Sequence, residues 1–215
     1  SSKIETMKRL FVLIFLLASC TPVTTSTSPL QVVTAYSTSA AMPWLAELYS
    51  CAEDMNVAID MSASSPEISL RLGEPETTIS PAYQVGEDEL IVVTHRDSQL
   101  QNLTLEEVQT LFTGSENPSA QVWVYSSDAD MQVLFEQLVM KGRSVSSFAK
   151  VAVSPQKMSE AVGSDSNVVG ILPRSSMNSG QNIREVYSAG KVPVLATTKV
   201  EATGIVRELL VCVSK

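Results

Sequence analysis

Apolar and polar positions come in short alternating blocks along this chain. Gln31–Tyr36 (QVVTAY) is short, apolar and β-branched, and predicts a strand. Ser37, Thr38 and Ser39 follow as a polar turn, after which Ala41, Trp44, Leu45, Leu48 and Ala52 recur at helical spacing. Pro43 is tolerated only in a helix's first turn, so that helix begins near Ala41. Asn56–Met61 (NVAIDM) predicts a second strand, Ser62–Ser65 a polar loop, and Pro66 the start of a short helix reaching Leu72. A strand–loop–helix unit used twice is the pattern of an α/β sheet.

Glu89–His95 (ELIVVTH) predicts a further strand. Thr104-Leu105-Glu106-Glu107 is a capping box, with Leu103 and Val108 placed as its hydrophobic staple, and the helix it opens stops at Gly114. Gln121–Tyr125 predicts a strand, and Ser126, Ser127 and Asp128 lead into a helix with Met131, Leu134, Phe135 and Leu138 on one face. Lys141 and Gly142 end that helix. Ser154-Pro155 opens another, with Met158, Ala161 and Val162 inward. Val168–Leu172 and Val192–Ala196 read as strands, and Thr203–Cys212 as an amphipathic closing helix. No internal repeat of fixed period is visible.

Ahead of these elements, Lys8 and Arg9 precede the apolar run Leu10–Ala18. That run is far short of the ~20 residues needed to span a bilayer, and a basic start with a short apolar stretch is the layout of a secretory signal. Leu17-Ala18-Ser19-Cys20 resembles the lipobox of bacterial lipoproteins: an aliphatic residue, two small residues a peptidase can pass, and the thiol that takes the lipid. Residues 1–19 are therefore expected to be a signal peptide, with Met7 the natural start and Ser1–Thr6 an extension or a misassigned upstream start. Cys20 is the expected lipidation site and residues 20–29 a solvated tether. Two acyl chains suffice for stable membrane anchoring.

The formal charge is −8. The expected signal peptide carries Lys3, Lys8, Arg9 and Glu5, so the mature chain stands near −10. No basic cluster exists, which argues against a nucleic-acid partner. Beyond Cys20, Cys51 and Cys212 remain; in an oxidising compartment they either pair or stay as two separate buried thiols. His95, the one histidine, ends an apolar strand. No motif gives it a nucleophile and an orienting acid, no clustered ligands suggest zinc, and no phosphate-binding glycine loop follows a strand. An enzyme, a cofactor and a metal are accordingly not expected. Trp44 and Trp123 lie in apolar patterns and read as core, and the sequon Asn102-Leu103-Thr104 reads as chance.

Leu103–Gly114 (LTLEEVQTLFTG) resembles a helix phrase of the phosphate-type substrate-binding proteins, type 2 periplasmic-binding folds that serve ABC importers. The strand Glu89–His95 before it and Met158–Pro173 (MSEAVGSDSNVVGILP) after it fit the same family, and the resemblance covers Leu30–Lys215. It implies an α/β, two-lobed fold, each lobe a mixed sheet flanked by helices. Residues 30–93 with 188–215 would form the first lobe and 94–187 the second. In such a fold the C-terminal segment returns to the first lobe, where Cys51 and Cys212 can meet.

Ligands of this fold sit at loops that precede helix N-termini, whose unpaired N–H groups favour anions. The candidate ligand-binding residues are Tyr36, Ser37, Thr38 and Ser39, then Ser64 and Ser65, then Ser126, Ser127 and Asp128. Each loop is also an ordinary capping sequence. Where the phosphate-binding members carry arginine and glycine, this chain reads Tyr125-Ser126-Ser127-Asp128-Ala129-Asp130, and both are missing. Asp128 and Asp130 would repel a dianion, which points to a different specificity, such as a larger organic anion touching Tyr36 or Tyr125. Arg174 is either a cation for the cleft or a solvated side chain.

Two functions follow. One is an extracytoplasmic, lipid-anchored protein that captures a small anion, phosphate-like or organic, for an ABC importer, with permease subunits as partners. The alternative is an envelope lipoprotein or sensor that keeps the fold and has lost or changed the ligand.

Overall fold

A computed structural model describes residues 30–74, 80–114, 120–177 and 182–215. The expected signal peptide, Cys20 and the tether through Pro29 lie outside the described residues. The chain from Gln31 runs β1 (Gln31–Ser37), α1 (Met42–Asp54), β2 (Val57–Met61), β3 (Ile68–Leu72), β4 (Ala82–His95) and α2 (Leu105–Thr113). It continues with β5 (Gln121–Val124), α3 (Asp130–Phe135), a π-helical turn (Glu136–Met140), β6 (Lys150–Val151), α4 (Pro155–Ser164), β7 (Val168–Pro173), a 3-10 turn (Arg174–Ser176), β8 (Ile183–Thr197) and α5 (Gly204–Val213). The strands join side by side in the order β2-β1-β3-β8-β4-β7-β5-β6.

The local rules hold where the sequence is most regular. Thr104 and Glu107 form the reciprocal capping box at the start of α2, and Gly114 closes that helix in the left-handed region at φ 78°. Ser154 caps α4 through the Lys157 N–H, with Pro155 in the first turn.

Two expectations are corrected. Residues 68–72 are a strand, not a helix opened by Pro66. Ile68, Leu70 and Leu72 are buried alternately with Ser69 and Arg71, a period of two that a helix would spread around its circumference. Leu138 is exposed rather than sharing the buried face of Met131, Leu134 and Phe135. The helix widens into the π turn at Glu136, which rotates Leu138 outward and puts Val139 and Met140 into the core.

The long antiparallel ladder of β4 and β8 is the frame. It pairs Ala82 with Thr197 at one end and His95 with Ile183 at the other, with register shifts between Gln84 and Gly86, Leu90 and Ile91, and Val92 and Val93. β1 and β3 are parallel, and β3 lies against the far end of β8, its terminal Leu72 reaching Val194. β5 and β7 are parallel, and β7 lies against the other end of β4, its terminal Pro173 reaching Leu90. Both sets of strands therefore run toward the middle of the ladder, and their C-terminal ends face each other there.

Cys51 in α1 and Cys212 in α5 form a disulfide, with Cα atoms 6.0 Å apart. The core on that side is closed by Leu45, Leu48 and Ala52 of α1 against Leu209, Leu210 and Val213 of α5 and the sheet.

Candidate functional site

The facing strand ends carry two of the three predicted loops. The first, after β1, brings Thr38 to the end of β3, where its N–H donates to the Leu70 carbonyl at 3.0 Å. The third, after β5, delivers Asp130 as the first residue of α3. The two meet: the Thr38 hydroxyl donates to Asp130 Oδ2 at 2.6 Å. The same oxygen accepts the Leu72 N–H at 2.9 Å, and Oδ1 accepts the Met131 N–H at 2.9 Å. Asp130 is buried, at 4% exposure.

Gly73 makes this approach feasible. It sits at φ 69°, and a Cβ there would lie 2.6 Å from Leu134 Cδ2 of α3. A side chain there would force Leu134 to shift and would hold its own backbone in a strained left-handed conformation.

The remaining predicted residues are placed less tightly. Ser37 spends its hydroxyl on the Thr38 carbonyl at 2.9 Å. Ser39 is exposed, and α1 starts at Ala41 without a side-chain cap. Tyr36 is exposed on the opposite face of β1 from buried Val33 and Ala35. Ser126, Ser127 and Asp128 are exposed, and α3 likewise has no side-chain cap. The Ser126 side chain, with the backbone of Asp128 itself second, holds the Asp128 carboxyl below its ordinary value. Ser127 lines an open depression of about 430 Å³ with Val133, Glu136 and Lys141.

Ser64 and Ser65 stand apart. β2 ends level with Ala35, short of the β1 terminus, and Ser64 and Ser65 are exposed on the segment that then crosses to β3. Because β3 is a strand, no helix N-terminus lies behind them. Among the described residues no hydrogen bond links them to Thr38 or Asp130.

Two further side chains are settled by their partners. Arg174, a candidate cleft cation, is bound by Glu89 and by Glu185 at 2.8 Å, which neutralises it. Next to it, Asp88 accepts the Ser175 hydroxyl and N–H, and Ser188 donates to Glu89. Tyr125 is unavailable to a ligand: it is buried and donates to the Ile171 carbonyl at 3.0 Å. Burial, with the Asp130 charge second, pushes its hydroxyl well above the ordinary tyrosine range. Residue types alone had marked Asp130 only as a repelling charge; its partners arise from the meeting of β3 with α3, which no local pattern encodes.

His95 Nδ1 accepts the Asp97 N–H at 3.1 Å, a local turn contact. Among the described residues no group of three or more His, Cys, Asp or Glu side chains is arranged to hold a metal ion. Among them no helix is long and apolar enough to cross a membrane.

No family model and no curated protein sequence matches the chain. Solved structures do. A Clostridium perfringens protein assigned as a phosphate ABC transporter substrate-binding protein, with phosphate bound, superposes with a TM-score of 0.76 at 14% identity, over 85% of this chain and 93% of that one. The fold is that of the type 2 periplasmic-binding proteins. An ABC-type phosphate transport receptor from Vibrio cholerae matches this periplasmic-binding fold with a TM-score of 0.65 at 12% identity, over 85% and 93% of the two chains. A sulfate-bound variant regulatory domain of OxyR2 from Vibrio vulnificus matches at 0.66 and 10%, over 86% and 95%. Transport receptors and a regulatory domain thus share this periplasmic-binding architecture.

Proposed function

We propose that this chain is the extracytoplasmic, lipid-anchored solute-binding protein of an ABC importer, and that it captures a small anionic solute between two lobes. The first lobe comprises residues 30–93 and 188–215, the second residues 94–187. One observation carries the reading: two opposed sets of strand ends face each other across the middle of the β4–β8 ladder. In open α/β sheets the C-terminal ends of strands are where loops collect to hold a ligand. The phosphate-bound Clostridium perfringens structure supports the solute class. The Leu17–Cys20 box supports the anchor at Cys20, and the permease subunits would be the docking partner.

A screen of oxyanions and small organic anions by thermal unfolding tests the reading. A ligand at 100 times its Kd adds about 2.7 kcal/mol to the native state, which for a chain of this size raises Tm by roughly 5–10 °C. Silence across the whole panel would defeat it. A second reading, an envelope lipoprotein or sensor whose ligand is lost or changed, gains support from one observation. The donors of Thr38, Leu72 and Met131 already serve a carboxylate of the chain itself.

A further inference from the structure

Three hydrogen-bond donors from three separate segments converge on one carboxylate. They are the Thr38 hydroxyl from the loop after β1, the Leu72 N–H at the end of β3 and the Met131 N–H at the start of α3. A hydroxyl and two main-chain N–H groups, all aimed at a pair of oxygens, form the coordination a small oxyanion would take. They lie where the two sets of strand ends face each other, which is where the solute-binding reading puts the ligand.

We propose that the Asp130 carboxylate is the resident occupant of the oxyanion position between the two lobes, and that it bars mineral oxyanions from the site. The inference rests on the solute-binding reading and narrows it.

The exclusion is chemical and steric together. Both carboxylate oxygens are engaged, and Asp130 is buried, so an arriving phosphate or sulfate finds its donors taken. To share them it would place its charge within hydrogen-bond distance of a like charge in a site shielded from water, where repulsion is strongest. Arg174, the candidate cleft cation, is already held by Glu89 and Glu185. The occupant is also tethered: it needs no capture from solution and makes its contacts without the association entropy a free ion gives up. The solute that the lobes admit is then an organic one, held by exposed groups that flank the plug, such as Ser39 and Ser126, and presenting no mineral oxyanion to Thr38.

The test is calorimetric titration of the full-length protein with inorganic phosphate and with sulfate, in wild type, Asp130→Ser and Asp130→Asn. Wild type is expected to give no saturable heat at millimolar anion. Asp130→Ser removes the charge and opens the space, and should bind at least one of the two anions roughly tenfold or more tighter than wild type, the factor one charge-assisted hydrogen bond supplies. Asp130→Asn keeps the shape without the charge and should fall between the two; it serves if the serine variant does not fold. Sub-millimolar binding of either anion by wild type overturns the proposal and needs no variant. So does a folded Asp130→Ser or Asp130→Asn protein that gains nothing. The two readings separate cleanly. An organic solute that stabilises wild type while the variants gain nothing sinks the plug alone; variants that gain anion binding while wild type answers no solute sink solute capture alone.

Discussion

Thr38 and Asp130 are separated by 92 residues and joined by a single short hydrogen bond to a charged acceptor. Such bonds contribute more than neutral ones, so Thr38→Ala should lower stability by about 2 kcal/mol. A urea midpoint that falls at unchanged m-value is the expected signature. Glu89 offers a pH test. The Arg174 hydrogen bond, and next the Ser188 hydroxyl, hold its carboxyl below the ordinary glutamate value. A carboxyl depressed in the folded state stabilises the protein above its unfolded pKa, and that gain disappears as pH falls through the lower folded value. Glu89→Gln should therefore be less stable than wild type near neutrality. The two stability curves should converge below pH ~4, under the ordinary glutamate range. A constant difference down to the acid limit would show that the Glu89 charge does not contribute through its ionisation. Both partners are partly exposed, so solvent screening keeps the effect small.

Among the elements, those with a strong local signature were legible in the sequence. The Thr104–Glu107 box, Gly114 and the Ser154-Pro155 start all announce themselves within a few residues. β3 was misread because Pro66 resembles a helix start, although Ile68, Leu70 and Leu72 alternate cleanly. The near halves of β4 and β8 were missed for another reason. Gln84–Asp88 and Ser188–Lys191 are polar and glycine-bearing, yet the first pairs with Val192–Leu195 and the second with Glu89–Ile91, through a bulged ladder that only the partner strand reveals. The site follows the same rule. Thr38 was visible as a hydroxyl on a loop, whereas its acceptor depends on how α3 meets β3. Gly73→Ala tests that junction: the left-handed φ and the contact with Leu134 should cost on the order of 1–3 kcal/mol. The loss should be smaller in a Leu134→Ala background, which frees the space, and a double-mutant cycle measures the difference.

At the scale of the whole molecule, the Cys51–Cys212 bridge spans a sequence separation of 161. In the chain-entropy picture, closing so long a loop restricts the unfolded ensemble by about 5 kcal/mol. Reduction, or Cys51→Ala with Cys212→Ala, should lower the unfolding free energy by an amount of that order and bring the urea midpoint down accordingly, while an unchanged midpoint would mean the bridge restrains nothing the fold does not already hold. Resemblance to a two-lobed fold had made the pairing reasonable, because α1 and α5 come from opposite ends of the chain and return to one side.

The same bridge also governs how the protein bears load. Under the proposed lipid anchoring, a force on the N-terminal side would act along the polypeptide. Between Leu30 and Lys215, tension in the oxidised chain passes from Cys51 straight to Cys212 and skips every strand from β2 to β8. Stretched by its two ends, that stretch of polypeptide can extend by roughly 80 Å, against roughly 600 Å once reduced, at about 3.4 Å per residue. The bridge makes β2 to β8 a mechanically shielded loop, so that a pull on the chain ends can peel β1 and its Thr38–Asp130 contact away but cannot unravel the strands behind them.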